Sequence, residues 1–312
     1  MSTETTRDPA QLLAADTAMG PVTLRVANLD RMRDYYRDAI ALDVLADGGD
    51  RVVLGRGGRA LVILQHAPEL KHAPAGSAGL FHTAILYESP AALAGALYAV
   101  ATTAPETFTG SADHLVSQAF YTSDPEGNGV ELYWDRPRSD WTWTNGQVDM
   151  ATLALDPNGY LQNHLTETGR DAPRDASLGG ATVGHVHLSV GDVPSAQAFY
   201  VDALGFEPTA TIGNQALFVS AGGYHHHMAM NVWSSRGAGP RMPALGLGRV
   251  DIVLPGEDDR MALLDRLAHA GVEVRDDGQT LRFEDPWRNA LEVRTAAAEV
   301  AAQAELVPDA RA

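Results

Sequence analysis

The chain contains an internal repeat, which constrains the fold more than any other feature of the sequence. The segment that begins Val-Ala-Asn-Leu-Asp at Val26 returns as Val-Gly-Asp-Val-Pro at Val190. The segment Asp-Pro-Glu-Gly-Asn-Gly-Val-Glu at 124–131 returns as Asp-Pro-Trp-Arg-Asn-Ala-Leu-Glu at 285–292. Copies of one sequence pattern fold as copies of one supersecondary unit. The sequence therefore predicts a duplicated architecture.

Each half can be divided again, because the apolar patterns predict two strand–helix–strand modules on either side of a long linker. Each module opens with a short alternating strand, crosses through a helix and returns through several strands. The four helices are predicted near residues 29–41, 90–102, 194–203 and 259–269. The predicted boundaries are 19–137 for modules one and two, 138–180 for the linker and 181–296 for modules three and four, with module two at 80–135 and module three at 183–233.

Composition narrows the function classes. The 312 residues carry a formal net charge of −17, which disfavours nucleic acid and anionic membranes as partners. The chain has no cysteine, which excludes thiolate metal ligands and a cysteine nucleophile. No segment resembles a signal peptide or reaches the ~18 apolar residues of a membrane span. We therefore expect a soluble, cytoplasmic protein.

The repeats differ at the positions that could bind a metal ion. Pro21 of the first half aligns with His185 of the second, and Arg249 of the second half aligns with His82 of the first. Each half therefore carries only part of a possible site.

Three motifs resemble those of the vicinal oxygen chelate superfamily, and within it the extradiol ring-cleaving dioxygenases of the catechol 2,3-dioxygenase type. The motif Gly-His-Val-His-Leu-Ser-Val places the first family histidine at His185, and Leu-Phe-His-Thr-Ala-Ile-Leu places the second at His82. The motif Asp-Pro-Glu-Gly-Asn-Gly-Val-Glu-Leu-Tyr places the family glutamate at Glu131. The resemblance implies an α+β fold of four βαβββ modules paired into two open barrels. It also implies one Fe(II) or Mn(II) per chain, a catechol and O2 as substrates, and a homo-oligomer.

The pairing of the modules decides whether the metal site is complete. If modules paired in sequence order, one barrel would contain His82 and Glu131 and the other His185 and Glu292. Pairing module two with module three instead unites His82, Glu131 and His185, and the long linker permits this arrangement. We therefore predict a metal site between modules two and three. The second barrel, around Arg249 and Glu292, would then hold no metal.

The resemblance also suggests acid–base residues. The strand at 224–231, Tyr-His-His-His-Met-Ala-Met-Asn, lies where the family places a histidine beside bound oxygen. His227 matches the family register best and His226 comes next, and strand alternation would point the two to opposite faces. His114 and Tyr121 match a histidine and a tyrosine that bind and deprotonate the catechol hydroxyl.

The same superfamily contains glyoxalases and metal-dependent thiol transferases, and also metal-free binding proteins of the bleomycin-resistance type. The sequence has no Gly-x-Ser-x-Gly elbow, which a serine hydrolase of that type would need. It also lacks a glycine-rich loop after a strand, so it gives no indication of a bound nucleotide or other organic cofactor. Glu292 is interpreted as structural, while His187 could either support the ligands or be structural.

Overall fold

The computed structural model describes residues 11–307. Its strands, in chain order, are β1 (Ala18–Val26), β2 (Asp43–Gly48), β3 (Arg51–Arg56), β4 (Arg59–His66), β5 (Gly79–Tyr87), β6 (Phe108–Asp113), β7 (Ser117–Ser123), β8 (Gly129–Asp135), β9 (Trp143–Thr144), β10 (Gln147–Val148), β11 (Ala181–Ser189), β12 (Glu207–Ile212), β13 (Ala216–Ser220), β14 (Met228–Asn231), β15 (Gly246–Leu254), β16 (Arg275–Asp276), β17 (Thr280–Glu284) and β18 (Ala290–Thr295).

Four helices connect strands within the modules, two lie in the linker, and one follows the last strand. In chain order they are α1 (Leu29–Asp38), α2 (Pro90–Thr103), α3 (Pro157–His164), α4 (Glu167–Asp171), α5 (Val193–Ala196, continued by a π-helical turn over Gln197–Ala203), α6 (Glu257–His269) and α7 (Ala296–Leu306), with short 3-10 turns at Pro105–Thr107, Arg138–Asp140 and Ala176–Leu178.

Two eight-stranded sheets contain the four modules. One has the order β16-β17-β18-β15-β1-β4-β3-β2, and the other has the order β12-β13-β14-β11-β5-β8-β7-β6. We call them the one–four sheet and the two–three sheet, after the modules that each combines. In each sheet the first strands of the two modules meet antiparallel, as β1 with β15 and β5 with β11. The predicted fold class, an α+β arrangement of four βαβββ modules in two sheets, is confirmed.

Local sequence signals explain where the module helices begin. The Asn28 side chain accepts a hydrogen bond from the backbone N–H of Arg31 and so caps α1. Ser89 caps α2 in the same way, and Pro90 occupies the first helical turn, where no backbone donor is needed. The first two observed helices therefore start where the sequence predicts.

The largest buried core packs the sheets against their helices. The first strand of every module contributes to it, with Leu24, Ile85, Val186 and Ile252 all nearly inaccessible to solvent. Side chains alternate across a strand, so the residues between these apolar positions face the concave side of each sheet. This alternation places His82, His185 and Glu131 away from the apolar core.

The two Asp-Pro segments form matched turns, as turn chemistry predicts. Asp124 accepts hydrogen bonds from the backbone of Asn128 at 2.9 Å and from the hydroxyl of Tyr36 at 3.1 Å. Asp285 accepts the corresponding bonds from Asn289 at 2.8 Å and from Tyr200 at 2.9 Å. Each aspartate ties its closing hairpin to the crossing helix of another module, so both have a structural role.

The segment predicted as a linker is folded against module two. Its helices α3 and α4 pack on α2, and its hairpin β9–β10 lies next to β12. Within residues 11–307, no helix is long and apolar enough to cross a membrane.

Candidate metal centre and its cavity

Three side chains converge on the concave face of the two–three sheet. His82 lies on β5, Glu131 on β8 and His185 on β11, and all three are buried. The Oε2 atom of Glu131 lies 3.0 Å from His82 Nε2 and 3.1 Å from His185 Nε2. One ligand atom from each residue falls within 4.8 Å of the other two. The structure therefore brings together the three residues that the sequence analysis assigned to one metal ion.

A glycine allows the close packing around His185. Gly184 lies directly before it on β11, and a Cβ atom at that position would stand 1.7 Å from the hydroxyl oxygen of Tyr133. The Tyr133 ring in turn packs on the His185 ring with 4.9 Å between centroids. Only glycine permits this close approach of Tyr133 to β11, and the Tyr133 ring then helps to fix the orientation of the His185 ring.

The electrostatics keep Glu131 ionised and His185 neutral. Burial alone would raise the pKa of Glu131, but the nearby imidazoles of His185 and His82 outweigh it and hold that pKa well below its usual value. Burial lowers the pKa of His185 to about 4, although Glu131 opposes this shift. An ionised carboxylate and a neutral imidazole are the protonation states that metal ligands require.

The donor set fits a divalent transition-metal ion. Two histidines and one carboxylate form the facial arrangement typical of non-haem metal sites with open positions. Ligand atoms bound to one ion at about 2.1 Å, in neighbouring positions, stand ~3 Å apart, which matches both distances to Glu131 Oε2. His82 Nε2 is buried, and although Glu131 Oε2 is only 3.0 Å away, no group among the described residues makes a well-aligned hydrogen bond with it. A metal ion would satisfy that nitrogen.

Tyr121 and His114 form a hydrogen-bonded pair beside the ligands. Tyr121 lies opposite Glu131 in the pairing of β7 with β8, and its ring lies 5.8 Å from that of His82. His114 Nδ1 lies 2.6 Å from the carbonyl oxygen of Ala151, so it must carry the proton that this contact needs. His114 Nε2 is then the acceptor of the Tyr121 hydroxyl hydrogen at 2.7 Å.

Ala151 was not recognised from the sequence as part of the site. It belongs to the segment predicted as a linker, and it acts through its backbone carbonyl, so its side chain gives no signal. The pKa of Tyr121 is raised well above its usual value, first by burial and then by the charge of Glu131. In the absence of other ligands, Tyr121 therefore keeps its proton.

The three-histidine segment differs from the prediction. His226 lines the cavity in front of the ligands, and its ring packs on that of His185 with 4.1 Å between centroids. His227, predicted to face the metal, instead accepts a hydrogen bond from the backbone of Ala221 at 3.2 Å and packs on Tyr224. The prediction for the orientation of His227 is wrong because β14 begins only at Met228, so strand alternation does not extend through the histidines.

A chain of hydrogen bonds runs from His226 away from the cavity. His226 Nδ1 and His225 Nδ1 lie 2.7 Å apart, so one donates to the other. His225 Nε2 lies 2.9 Å from the carboxylate of Asp135 and donates to it. A neutral His225 must therefore accept at Nδ1, which makes His226 the donor at Nδ1 and leaves its Nε2 unprotonated. Burial, followed by the neighbouring histidines, lowers the pKa of His226 well below its usual value.

Asp135 also binds Tyr224, whose hydroxyl donates to it at 2.8 Å. Glu131, Tyr133 and Asp135 alternate along β8, so they share one face of the strand. This period of two is a sequence signal that could have identified Asp135.

His187 lies beside the ligands rather than among them. Its ring is 4.9 Å from that of His82, and its Nε2 accepts a hydrogen bond from the Asn231 side chain at 3.0 Å. Burial lowers its pKa well below the usual value. His187 therefore packs as a neutral ring against a ligand, and its nitrogen is already used by Asn231.

The one–four sheet has ion pairs at the corresponding positions. Arg249 binds Asp251 and Glu292, with contacts of 2.5 and 3.0 Å. Arg282 binds the same Glu292 oxygen at 2.7 Å, and Arg294 also contacts that carboxylate. Glu292 is thus neutralised by arginines, which agrees with its interpretation as structural.

The three candidate ligands line a cavity of about 930 Å3. The concave face of the two–three sheet forms its floor, and residues of the predicted linker, including Val148 and Met150, form one wall. Phe81 and Trp233 also line the cavity, and they pack on each other with 5.3 Å between ring centroids. The linker thus contributes to the site as well as joining the two halves.

Comparison with known proteins agrees with this architecture. Residues 182–293 match the model of the glyoxalase/bleomycin resistance protein/dioxygenase superfamily. The chain is 38% identical over 281 residues to a catechol-2,3-dioxygenase of Bacillus subtilis (strain 168), which covers 87% of this chain and 94% of that protein.

Solved structures resemble the fold at low sequence identity. A Bacillus subtilis protein described as a candidate dioxygenase aligns over 91% of this chain and 86% of its own, with a TM-score of 0.59 and 12% identity. Glyoxalase I from Zea mays aligns over 93% of this chain and 96% of its own, with a TM-score of 0.55 and 15% identity. The chain belongs to the glyoxalase/bleomycin resistance protein/dioxygenase superfamily.

Proposed function

We propose that the protein is an extradiol dioxygenase, which uses O2 to open the ring of a catechol at the carbon–carbon bond next to the hydroxyl groups. The observation that carries the proposal is the convergence of His82, Glu131 and His185 beside a hydrogen-bonded Tyr121–His114 pair. The similarity to a catechol-2,3-dioxygenase over most of both chains supports the same reaction class. Both atoms of O2 enter the product and the catechol supplies the electrons, so no further reductant is needed.

His82, Glu131 and His185 would hold one Fe(II) or Mn(II) ion per chain. When bound, such an ion offers three further positions, which suit two catechol oxygens and O2. A single carboxylate among the ligands limits the negative charge of the site, so a catecholate can enter without a large electrostatic penalty.

Tyr121 and His114 would take a proton from the catechol. Because His114 Nδ1 is held by the Ala151 carbonyl, its Nε2 is free to accept a proton relayed through the Tyr121 hydroxyl. A positioned acid–base group contributes typically ~10²–10⁴-fold to the rate. The two hydrogen bonds of His114 orient the Tyr121–His114 pair before the substrate arrives.

His226 would serve as the acid–base group on the oxygen side. Its Nδ1 is bound to His225, so Nε2 is the ring nitrogen left for the cavity. Asp135 supports the charge that His225 would carry if the proton moved along this chain. When His226 Nδ1 carries the shared proton, His226 Nε2 would act as a proton acceptor. When that proton moves to His225, His226 Nε2 would carry the ring proton and act as a donor.

Oxygen uptake with catechol tests the function directly. Protein loaded with Fe(II) or Mn(II) under argon should consume one O2 for each catechol and form a yellow ring-opened product. The metal that restores turnover identifies the cofactor. Metal binding without O2 uptake, for catechol and substituted catechols alike, would contradict the proposal and favour a glyoxalase-like activity. The cytoplasmic location and the homo-oligomeric state stay predictions.

A further inference from the structure

The cavity in front of the ligands is much larger than a catechol needs. Its volume of about 930 Å3 lies near the upper end of the ~300–1,000 Å3 range of pockets for drug-sized ligands. A catechol has eight non-hydrogen atoms and would occupy only the floor, next to His82 and Glu131. The remaining space would be filled either by a substituent on the ring or by water.

The cavity lining exposes more apolar than polar surface, although threonines, serines, Gln147 and Asp149 also contribute to it. Phe81 and Trp233 form an aromatic side, and His187 packs on both rings with centroid separations of 4.9 and 5.4 Å. Met150 and Ile212 also line the cavity, as what we call the Met150–Ile212 wall, and Ile212 is 48% exposed although its side chain is aliphatic. An exposed apolar surface that rims a cleft is typical of a ligand-binding groove.

The charges of the lining exclude one class of substituent. Among the cavity-lining residues in the described part of the chain, none is lysine or arginine, whereas Glu131 and Asp149 are acidic. A carboxylate on the substrate would therefore lose water without gaining a cationic partner. In contrast, the concave side of the one–four sheet carries Arg249 and Arg282, so the absence of cations is specific to this cavity.

We infer that the natural substrate is a catechol with a large, neutral, apolar substituent such as an aryl or branched alkyl group. This inference rests on the proposed function. The diol would lie at the ligands, and the substituent would extend between the Phe81–Trp233 pair and the Met150–Ile212 wall. Burial of each additional methylene raises the binding constant about fourfold, so the cavity can discriminate strongly in favour of a substrate with a large substituent.

A matched set of substrates tests the inference. The metal-loaded full chain is assayed with catechol, 3- and 4-phenylcatechol, 3,4-dihydroxybenzoate and the methyl ester of that acid. The ester keeps the shape of the acid and removes its charge. We expect at least one phenylcatechol to exceed catechol in kcat/KM, and the acid to fall roughly 10–100-fold below its ester. Binding under argon, followed by calorimetry, should show the same order without turnover.

Variants of the cavity-lining residues test which side chains cause the preference for a large, neutral substituent. Trp233→Ala should reduce the phenylcatechol-to-catechol ratio of kcat/KM by about 2–10-fold, because an aromatic contact is lost. Trp143→Ala is the matched control, since Trp143 is exposed and does not line the cavity. Ile212→Arg should raise the acid-to-ester ratio about tenfold by supplying the missing positive charge.

The outcomes separate the two proposals. If catechol is cleaved but the acid and its ester react equally well, or both phenylcatechols react more slowly than catechol, the inference about the substituent is wrong and the dioxygenase activity stands. If no catechol is cleaved, the proposed function is wrong and the inference falls with it.

Discussion

The two sheets are built from the same module and connected in the same strand order, yet one brings together two histidines and a carboxylate that could bind a metal ion, and the other brings together arginines. In the two–three sheet, His82 and Tyr121 flank Glu131. In the one–four sheet, Arg249 takes the strand position of His82, and Arg282 lies opposite Glu292 as Tyr121 lies opposite Glu131.

The comparison shows that the carboxylate is common to both sheets and its partners decide what it does. Glu292 is bound by guanidinium groups, which supply positive charge permanently and occupy the space in front of it. Glu131 faces two imidazoles, which carry no permanent charge and offer ring nitrogens as further ligands, so its negative charge is available to a metal ion. The fold therefore tolerates either kind of partner at the same position, and only one permits catalysis.

The largest expected difference between the sheets is in activity. Glu131→Gln should abolish ring cleavage, because the neutral amide is a poor ligand for a hard divalent ion. Glu292→Gln is the matched substitution in the other sheet, and its kcat/KM per folded protein should stay near that of the wild type. Oxygen-uptake assays with both variants test this expectation, and equal losses would remove the functional distinction between the two sheets.

The second difference lies at the residues opposite the two carboxylates. Tyr121→Phe should keep the metal and lower kcat by ~10²–10⁴-fold, since it removes the hydroxyl between substrate and His114. Arg282→Met should leave kcat unchanged. Metal content is measured beside kcat for both variants. Loss of metal from Tyr121→Phe would assign that residue to the ligands instead.

The arginines of the one–four sheet should matter for stability rather than turnover. Arg249→Met leaves the buried Asp251 carboxylate without its closest partner, and we expect a loss of roughly 1.5–3 kcal/mol in the free energy of unfolding. Arg37→Met, which breaks a more exposed ion pair with Asp38, should cost less than ~1 kcal/mol. Urea unfolding of the metal-free proteins compares them, and equal costs would show that the arginine cluster does not stabilise the sheet.

A smaller effect distinguishes the histidines of the three-histidine segment. His226→Gln should slow the oxygen-dependent step while metal and catechol binding persist, because His226 lines the cavity. His227→Gln should change that step much less, since His227 contacts Ala221 and Tyr224 instead. Single-turnover kinetics after addition of O2 rank the two. The reverse order would return the role to His227.

Much of this arrangement could be predicted from the sequence, because repeats and strand periodicity carry it. The offset between the copies predicts four modules, and the incomplete ligand sets within each half favour pairing module two with module three, which is the pairing seen in the sheets. The same alternation that places His82 and Glu131 on one face holds wherever a strand is regular.

The remaining features depend on irregular backbone or on groups without a sequence signal. His226 and His227 lie in an irregular segment before β14, so the alternation of side chains along a strand does not predict which of them faces the cavity. Ala151 acts through a carbonyl, which every residue has. The cavity wall at Met150 comes from a segment whose composition indicates only a connection.

Metal content of the His185→Ala variant tests the central claim most directly, because His185 comes from module three and the other two ligands come from module two. The wild-type protein, loaded under argon and freed of excess metal, should retain one ion per chain. His185→Ala should retain none while its circular dichroism spectrum stays native, and Glu292→Gln should retain one. Full metal occupancy in His185→Ala together with loss in Glu292→Gln would contradict a metal site formed between modules two and three.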